Sequence, residues 1–162
     1  MFPYYRYKKK KKTSDDAPKE RKPRKKPEKP DLVKRLDKVF ALYIRLRDLM
    51  PNGMGKCISC GKIKAYANLD AGHFYGRTNM ATRWDEDNVN IECQYCNRCS
   101  SDHLIEYQEN LIRKIGVARF DTLRLKAKST KKWTDDELQK MIAHYTAEVH
   151  RLSRLKDIKV NL

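Results

Sequence analysis

Apolar residues recur at helical spacing in three stretches of the chain. In the first stretch the apolar positions are Leu32, Val33, Leu36, Val39, Phe40, Tyr43, Leu46 and Leu49. This spacing is that of a helix with one buried face. Asp31 stands where an N-cap belongs, and Pro51-Asn52-Gly53 would end a helix. The pattern therefore predicts a helix over residues 32–49.

The other two helical stretches lie towards the C-terminus. One covers residues 104–115 and ends at Gly116, and a short piece over residues 117–125 follows it. The last covers residues 134–155, where Thr134 and Glu137 have the spacing of a capping box. Its apolar positions are Leu138, Met141, Ile142, Tyr145, Val149 and Leu152. Each of these helices requires a partner for its apolar face.

The segment between the first and second helices has a different pattern. Residues 55–99 contain glycines, cysteines and short apolar pieces, which favour short strands and irregular loops over helices. A core of this size, about residues 53–104, has too few apolar residues to fold unaided, so a metal ion would supply part of its stability. The expected fold class is α+β, with this small core flanked by helices in one domain over residues 31–162.

Four cysteines in two pairs indicate what that metal is. Cys57 and Cys60 form one C-x-x-C pair, and Cys93 and Cys96 form the other. Two such turns together can surround a tetrahedral zinc ion. The alternative is a pair of disulfides, which rarely persist in a reducing compartment, and the chain begins without a secretory signal. We therefore predict a structural Zn(Cys)4 site, with Cys99 as a spare reduced thiol or a substitute ligand.

Charge is distributed unevenly along the chain. The net charge is +16, and residues 1–30 carry thirteen basic against four acidic residues, whereas residues 53–104 are neutral. The first thirty residues also contain repeated prolines, so a disordered basic arm is expected there. Its unbroken lysine run is Lys8, Lys9, Lys10, Lys11 and Lys12. Basic segments around a neutral centre suit DNA as a partner; an arm kept basic only for solubility is the alternative.

No apolar run is long enough to span a membrane, and the basic run has no amphipathic partner segment for a membrane surface. A cytoplasmic protein is expected, in the host cell if a phage encodes it.

The order of motifs between the cysteine pairs resembles that of the HNH, or ββα-metal, nucleases. Leu69-Asp70-Ala71-Gly72-His73-Phe74 follows the first pair, and Asp85-Glu86-Asp87-Asn88-Val89-Asn90 precedes the second, which Asn97 follows directly. The last of these arrangements also resembles that of phage endonuclease VII. The resemblance implies that His73 is the general base, that Asn88 braces the loop, and that Asn97 at the start of a helix binds a catalytic Mg²⁺ or Mn²⁺ ion. Asn97 as a plain helix cap is the alternative.

One departure from the HNH pattern concerns the second ligand of the catalytic cation. Many HNH sites have an aspartate directly before the histidine, and Gly72 occupies that position here. Asp70 is close, but three positions along a strand place it on the opposite face from His73 unless Gly72 bends the strand. His103 and Asp102 are rival ligands. Basic side chains near the site that suit phosphate contacts are Arg77, Arg83 and Arg98.

Over residues 35–150 the sequence also resembles the NinG (Rap) family of phage recombination proteins. The resemblance rests on the words Asp70-Ala71-Gly72-His73 and Cys93-x-x-Cys96-Asn97. It implies a structure-selective endonuclease of Holliday junctions and other branched DNA. Because a resolvase makes two opposed nicks, a homodimer is expected, with the apolar faces of the 32–49 and 134–152 helices as its surface. The alternatives are a general HNH nicking or packaging endonuclease and a non-catalytic zinc module that binds DNA.

Overall fold

A computed structural model describes residues 31–100 and 102–162. The basic arm expected over residues 1–30 lies outside these ranges. The described chain is α+β, and its helices and strands in order are α1 (Leu32–Arg47), β1 (Met54–Lys56), β2 (Ile63–Ala65), β3 (Leu69–His73), β4 (Val89–Cys93), α2 (Gln94–Cys99), α3 (His103–Ile115), α4 (Val117–Ala127) and α5 (Asp135–Leu155). None of the helices within the described ranges is long and apolar enough to cross a membrane.

The long helices begin at the caps that the sequence predicts. Asp31 accepts a hydrogen bond from the backbone N–H of Lys34 at 3.1 Å, which satisfies one free donor at the start of α1. Thr134 and Glu137 form the capping box of α5, in which each side chain accepts from the other residue's backbone N–H. Gly116 ends α3 with a φ of 83°, a conformation that favours glycine. The prediction of these helices is confirmed.

The prediction for residues 55–99 is partly wrong. The segment does contain four short strands, but it ends in a helix, α2, that the sequence pattern does not show. This helix is six residues long, too short for a 3.6-residue periodicity to be visible. Its N-cap is Cys93, so Asn97 lies inside the helix and is not the cap.

Two antiparallel hairpins make up the sheet structure. β1 pairs with β2, and β3 pairs with β4 residue for residue from Leu69↔Cys93 to His73↔Val89. This second pairing, the β3–β4 hairpin, has no bulge, so alternate residues point to opposite faces throughout. Strand β4 is buried along its whole length.

The main apolar core lies between α1, α5 and one face of the β3–β4 hairpin. Phe40 packs edge-on against Tyr145, with ring centroids 4.8 Å apart, and Tyr43 lies 4.9 Å from the same ring. Val89 and Ile91 of β4 join this cluster from the hairpin. The apolar faces of α1 and α5 therefore cover each other within one chain. The expectation that they form a dimer surface is wrong, because helical periodicity shows that a face is buried but not against what.

Two smaller clusters lie outside this core. One joins α3 to α4 through the side chains of Tyr107, Leu111, Phe120 and Leu123. The other consists of the buried cysteines Cys57, Cys93 and Cys96. The hairpin thus has helices α1 and α5 on one side and α2 and α3 on the other.

Candidate functional site

The four paired cysteines converge on one point. Their sulfur atoms all lie within 4.8 Å of one another, and the Cys60 and Cys93 sulfurs are 3.8 Å apart. Four sulfurs at about 2.3 Å from a tetrahedral zinc ion would be separated by about 3.8 Å. The donor set and its spacing therefore fit a structural zinc ion held by Cys57, Cys60, Cys93 and Cys96.

The alternative of two disulfides is wrong, since all five cysteines are free. Burial raises the pKa of Cys57 to about 11, so zinc binding at this residue would have to displace a proton. Cys99 is exposed and lies outside the group of four, as a spare thiol would.

The β3–β4 hairpin separates apolar from polar side chains. Leu69, Ala71 and His73 lie on the face that packs on α1, which we call the inner face. The cross-strand pairs Asp70↔Glu92 and Gly72↔Asn90 lie on the other, outer face, below α2 and α3. Every polar side chain of the hairpin except His73 is therefore on the outer face.

The outer face brings Asp70 and Asn97 together. The Asn97 side-chain amide donates to the Asp70 carboxylate at 3.0 Å, and Arg98 binds both carboxylate oxygens, at 2.7 and 2.8 Å. Although burial works to raise it, these hydrogen bonds hold the pKa of Asp70 below its usual value. A carboxylate and an amide oxygen are ligands that suit Mg²⁺ or Mn²⁺. A cation at this pair would have to displace Arg98 and receive the oxygen of Asn97.

His73 ends β3 on the inner face, away from this pair. Its Nε2 atom lies 3.0 Å from the backbone carbonyl oxygen of Arg83. Burial lowers the pKa of His73 below 6.5. The ring is therefore neutral near pH 7; a proton on Nε2, donated to Arg83, would leave Nδ1 as the basic nitrogen. Gly72 does not bend the strand, so His73 and Asp70 stay on opposite faces.

Asn88 is fully buried at the start of the hairpin's second strand and links three segments. Its side-chain oxygen accepts from the backbone N–H of Tyr75 at 2.7 Å, and its amide donates to the carbonyls of Tyr75 and Thr82, both at 2.9 Å. These bonds tie the end of β3 to the loop before β4. The contacts are those of a residue that braces the loop.

His103 does not join the Asp70–Asn97 pair. Its Nδ1 atom lies 2.6 Å from the carboxylate of Glu92, which also accepts from the Ser59 hydroxyl at 2.5 Å. Glu92 has no exposed surface, and its second oxygen has no hydrogen-bond partner. The rival candidate Asp102 is exposed at the N-cap of α3.

Glu92 is the residue of this site that sequence reasoning missed. The signal was present in Val89-Asn90-Ile91-Glu92-Cys93, where polar residues alternate with apolar ones. Such alternation predicts a strand with one polar face. That this face is also buried depends on α2 and α3, which the strand's own sequence does not show.

The three arginines predicted to contact phosphate differ in their engagement. Arg83 is held by Asp37 of α1 through two hydrogen bonds, at 3.0 and 2.6 Å, so its role is structural and its prediction as a DNA contact is not supported by its position. Arg98 is exposed but bound to Asp70. Arg77 is exposed. Arg77 and Arg98 are the two that remain accessible to a phosphate.

Comparison with known proteins identifies relatives of this chain. The family described as Bacteriophage Lambda NinG protein matches residues 4–156. Protein ninG of Salmonella phage P22 is 34% identical over 131 residues, which cover 78% of this chain and 57% of that protein. Protein ninG of Escherichia phage lambda is 31% identical over 131 residues, again 78% of this chain and 57% of the relative. No solved structure is significantly similar to this chain.

The match to the family extends over both cysteine pairs, the hairpin and all five helices of the described chain. The chain spans little more than half the length of the curated relatives. The resemblance seen in the words around His73 and Asn97 is thus part of a similarity that runs almost from end to end. This chain belongs to the NinG family of bacteriophage proteins.

Proposed function

We propose that this protein is a structure-selective, metal-dependent endonuclease of phage recombination that hydrolyses phosphodiesters in Holliday junctions and other branched DNA. The proposal treats β3, β4 and α2, in that order, as the ββα core of an HNH nuclease. The observation that carries it is the Asp70–Asn97 pair, which lies beside the cysteine cluster at 3.0 Å separation.

The pair has the ligand chemistry that phosphodiester hydrolysis requires. A phosphodiester resists attack because its negative charge repels the nucleophile and because the departing oxygen needs stabilisation. A Mg²⁺ or Mn²⁺ ion held by Asp70 and Asn97 would stabilise that oxygen. Arg98, released from Asp70 by the ion, is then free to bind a phosphate oxygen through its planar guanidinium group.

His73 is assigned the role of general base. Its lowered pKa keeps the ring neutral and able to accept a proton from water near pH 7. Because His73 is the last residue of β3, a DNA strand that crosses the end of the hairpin would meet both the histidine and the outer face. The basic arm, with Lys8 to Lys12, would add further phosphate contacts.

A second function, that of a non-catalytic zinc module that binds DNA, is favoured by one observation. His73 and Asp70 lie on opposite faces of an unbent strand, and the His73 ring already bonds the Arg83 carbonyl. In that case His73 would act only as a structural residue between β3 and the loop that follows it.

A cleavage assay on a synthetic four-way junction with Mg²⁺, Mn²⁺ or EDTA decides between the two functions. We expect metal-dependent cleavage that falls by about 10²-fold to 10⁴-fold in His73→Ala, with DNA affinity nearly unchanged. The matched control is His150→Ala, an exposed histidine of α5. Cleavage at the wild-type rate by His73→Ala would remove the histidine from the mechanism, and no cleavage by the wild-type protein would leave the binding module.

Branch selectivity and assembly need a separate comparison. Two opposed nicks in one junction call for two copies of a site that serves one strand, so the proposed active unit is a homodimer. Sedimentation with and without a four-way junction should show a dimer on the junction, and the junction should be cut faster than linear duplex. A monomer in both states that cuts both substrates equally fast would indicate a general HNH nicking or packaging endonuclease.

The arm is tested by deletion of residues 1–30. Loss of its phosphate contacts should weaken DNA binding and flatten its salt dependence by about 0.9 in slope for each contact. The position of the cut should stay the same. An unchanged salt slope would show that the arm does not touch DNA.

A further inference from the structure

A cavity of about 630 Å³ lies between the first cysteine pair and α3. We call it the knuckle cavity. Its polar lining residues include Asp48, Lys56, Asn90, Asn110, Arg113 and Lys114. Neither Asp70 nor Asn97 lines it, so it is separate from the proposed cleavage site.

The charge of the knuckle cavity is positive. Lys56, Arg113 and Lys114 line it, against the single carboxylate of Asp48. The segment that forms one wall, residues 53–69, contains three lysines and no acidic residue. A ligand that enters this cavity therefore gains from negative charge.

The one carboxylate of the cavity is already shared by two cations. Asp48 accepts from Arg47 at 2.8 Å and from Lys114 at 3.1 Å, and Lys114 also donates to Asn90 at 2.6 Å. Burial lowers the pKa of Lys114, and the nearby charge of Arg47 lowers it further. The wall thus carries a partly buried positive charge in excess of its carboxylate, which a bound anion would offset.

The other two cations stand at the rim. Arg113 bonds Asn110 at 2.9 Å and Glu109 at 3.2 Å, but Arg113 and Glu109 are both exposed. An exposed pair of this kind contributes little, so Arg113 can turn to a phosphate at small cost. Lys56 is exposed at the end of β1. Both side chains can reach a ligand that enters from solvent.

The cavity lies on the same side of the hairpin as the proposed cleavage site. Asn90, which lines it, is on the outer face with Asp70. The two residues are diagonal neighbours across the strands, about 7–8 Å apart. One DNA strand advances about 3.4 Å along the helix axis for each nucleotide. A strand held at Asp70 would therefore reach the cavity within a few nucleotides.

We propose that the knuckle cavity binds a backbone phosphate of the DNA strand that is cut, a few nucleotides from the cut, through Lys56, Arg113 and Lys114. This inference rests on the proposed function in that it takes DNA as the ligand. The cavity has room for the attached sugar as well as the phosphate.

The test compares two double variants of the full, zinc-loaded chain. Lys56→Gln with Arg113→Gln removes the two rim cations, and Lys140→Gln with Arg151→Gln removes two exposed cations of α5 outside the cavity. Binding to a four-way junction is measured in EDTA-free buffer without Mg²⁺ or Mn²⁺ over a range of salt. The cavity variant should lose about 1.8 in salt slope, since each lost phosphate contact lowers it by about 0.9. The control should keep the wild-type slope.

Equal slopes in the two variants, or no change in either, would overturn the cavity proposal even if the protein cuts DNA. The reverse result, a reduced slope only in the cavity variant of a protein that binds but never cuts, would refute the nuclease and leave the cavity in place. Competition separates the two sources of phosphate: a short oligonucleotide should displace the junction at far lower concentration than inorganic phosphate. Equal competition by inorganic phosphate would show a free-anion site and overturn the assignment to DNA.

Discussion

The two faces of the β3–β4 hairpin are built from the same ten residues and do different things. The inner face places Ala71, Val89 and Ile91 in the apolar core with α1 and α5. The outer face places Asp70, Asn90 and Glu92 against α2, α3 and the cysteine cluster. The first face is held by packing and the second by hydrogen bonds, ion pairs and the proposed zinc ion. Stability and chemistry can therefore be perturbed separately.

The largest expected effect comes from the zinc ligands. Cys93→Ser removes one sulfur, and structural zinc sites of this kind contribute about 10–16 kcal/mol of apparent binding energy. We expect the outer side of the hairpin to lose its structure and the protein to purify without zinc. Zinc analysis and circular dichroism measure both.

Cys99→Ser is the matched control, since Cys99 is exposed and outside the cluster. It should keep one zinc ion per chain. Full zinc occupancy in Cys93→Ser would show that the four cysteines are not the ligands.

A large but smaller effect is expected on the inner face. Ile91→Ala removes a side chain that is only 3% exposed, and such truncations cost about 2–5 kcal/mol. Urea unfolding should show this loss while the zinc content stays at one per chain. Ile63→Ala, at a residue that is 55% exposed, should change the free energy of unfolding by less than about 0.5 kcal/mol. Loss of zinc in Ile91→Ala would mean that the two faces are not separable.

Gly72→Ala tests the outer face from the other direction. A methyl group there would overlap the carboxylate of the buried Glu92, and such overpacking costs about 1–3 kcal/mol. Gly76→Ala is the control, because a side chain at Gly76 would meet open space. Thermal or urea unfolding that shows equal stability for the two variants would contradict the close packing of Glu92 against Gly72.

The smallest effect is expected from pH and comes from His73. Burial lowers the pKa of this histidine below 6.5, so the unfolded chain takes up the proton at a higher pH than the folded protein does. The stability that the neutral ring contributes is present in full above pH 6.5 and is lost as pH falls through the window below. Urea midpoints from pH 7 to pH 5 should decline less steeply in His73→Ala than in His150→Ala. Equal declines would place His73 in water.

Local sequence signals predicted the helices well and the site only in part. Asp31, Gly116 and the Thr134–Glu137 box act on their own helix ends, so α1, α3 and α5 could be read from neighbouring residues. The cysteine cluster was predictable because metal ligand spacing is itself a local signal. The separation of His73 from Asp70 also followed from strand alternation once the strand proved straight.

The rest depends on contacts between distant segments. Glu92 meets Ser59 and His103, which lie far from it in sequence, and Arg83 meets Asp37 of α1. No periodicity within β4 or the loop before it specifies these partners. The same limit explains the wrong dimer surface, since α1 and α5 find each other across the whole length of the described chain.

The two cysteine pairs stand at either end of the segment that contains β3 and β4. A zinc ion that joins them early would close this loop before the strands pair and so reduce the chain entropy lost in their search for each other. The hairpin strands are joined by a long connection, and such non-local pairings fold slowly. Zinc would then act on the rate of folding as well as on its equilibrium: refolding started in the presence of zinc should be faster than refolding to which zinc is added last.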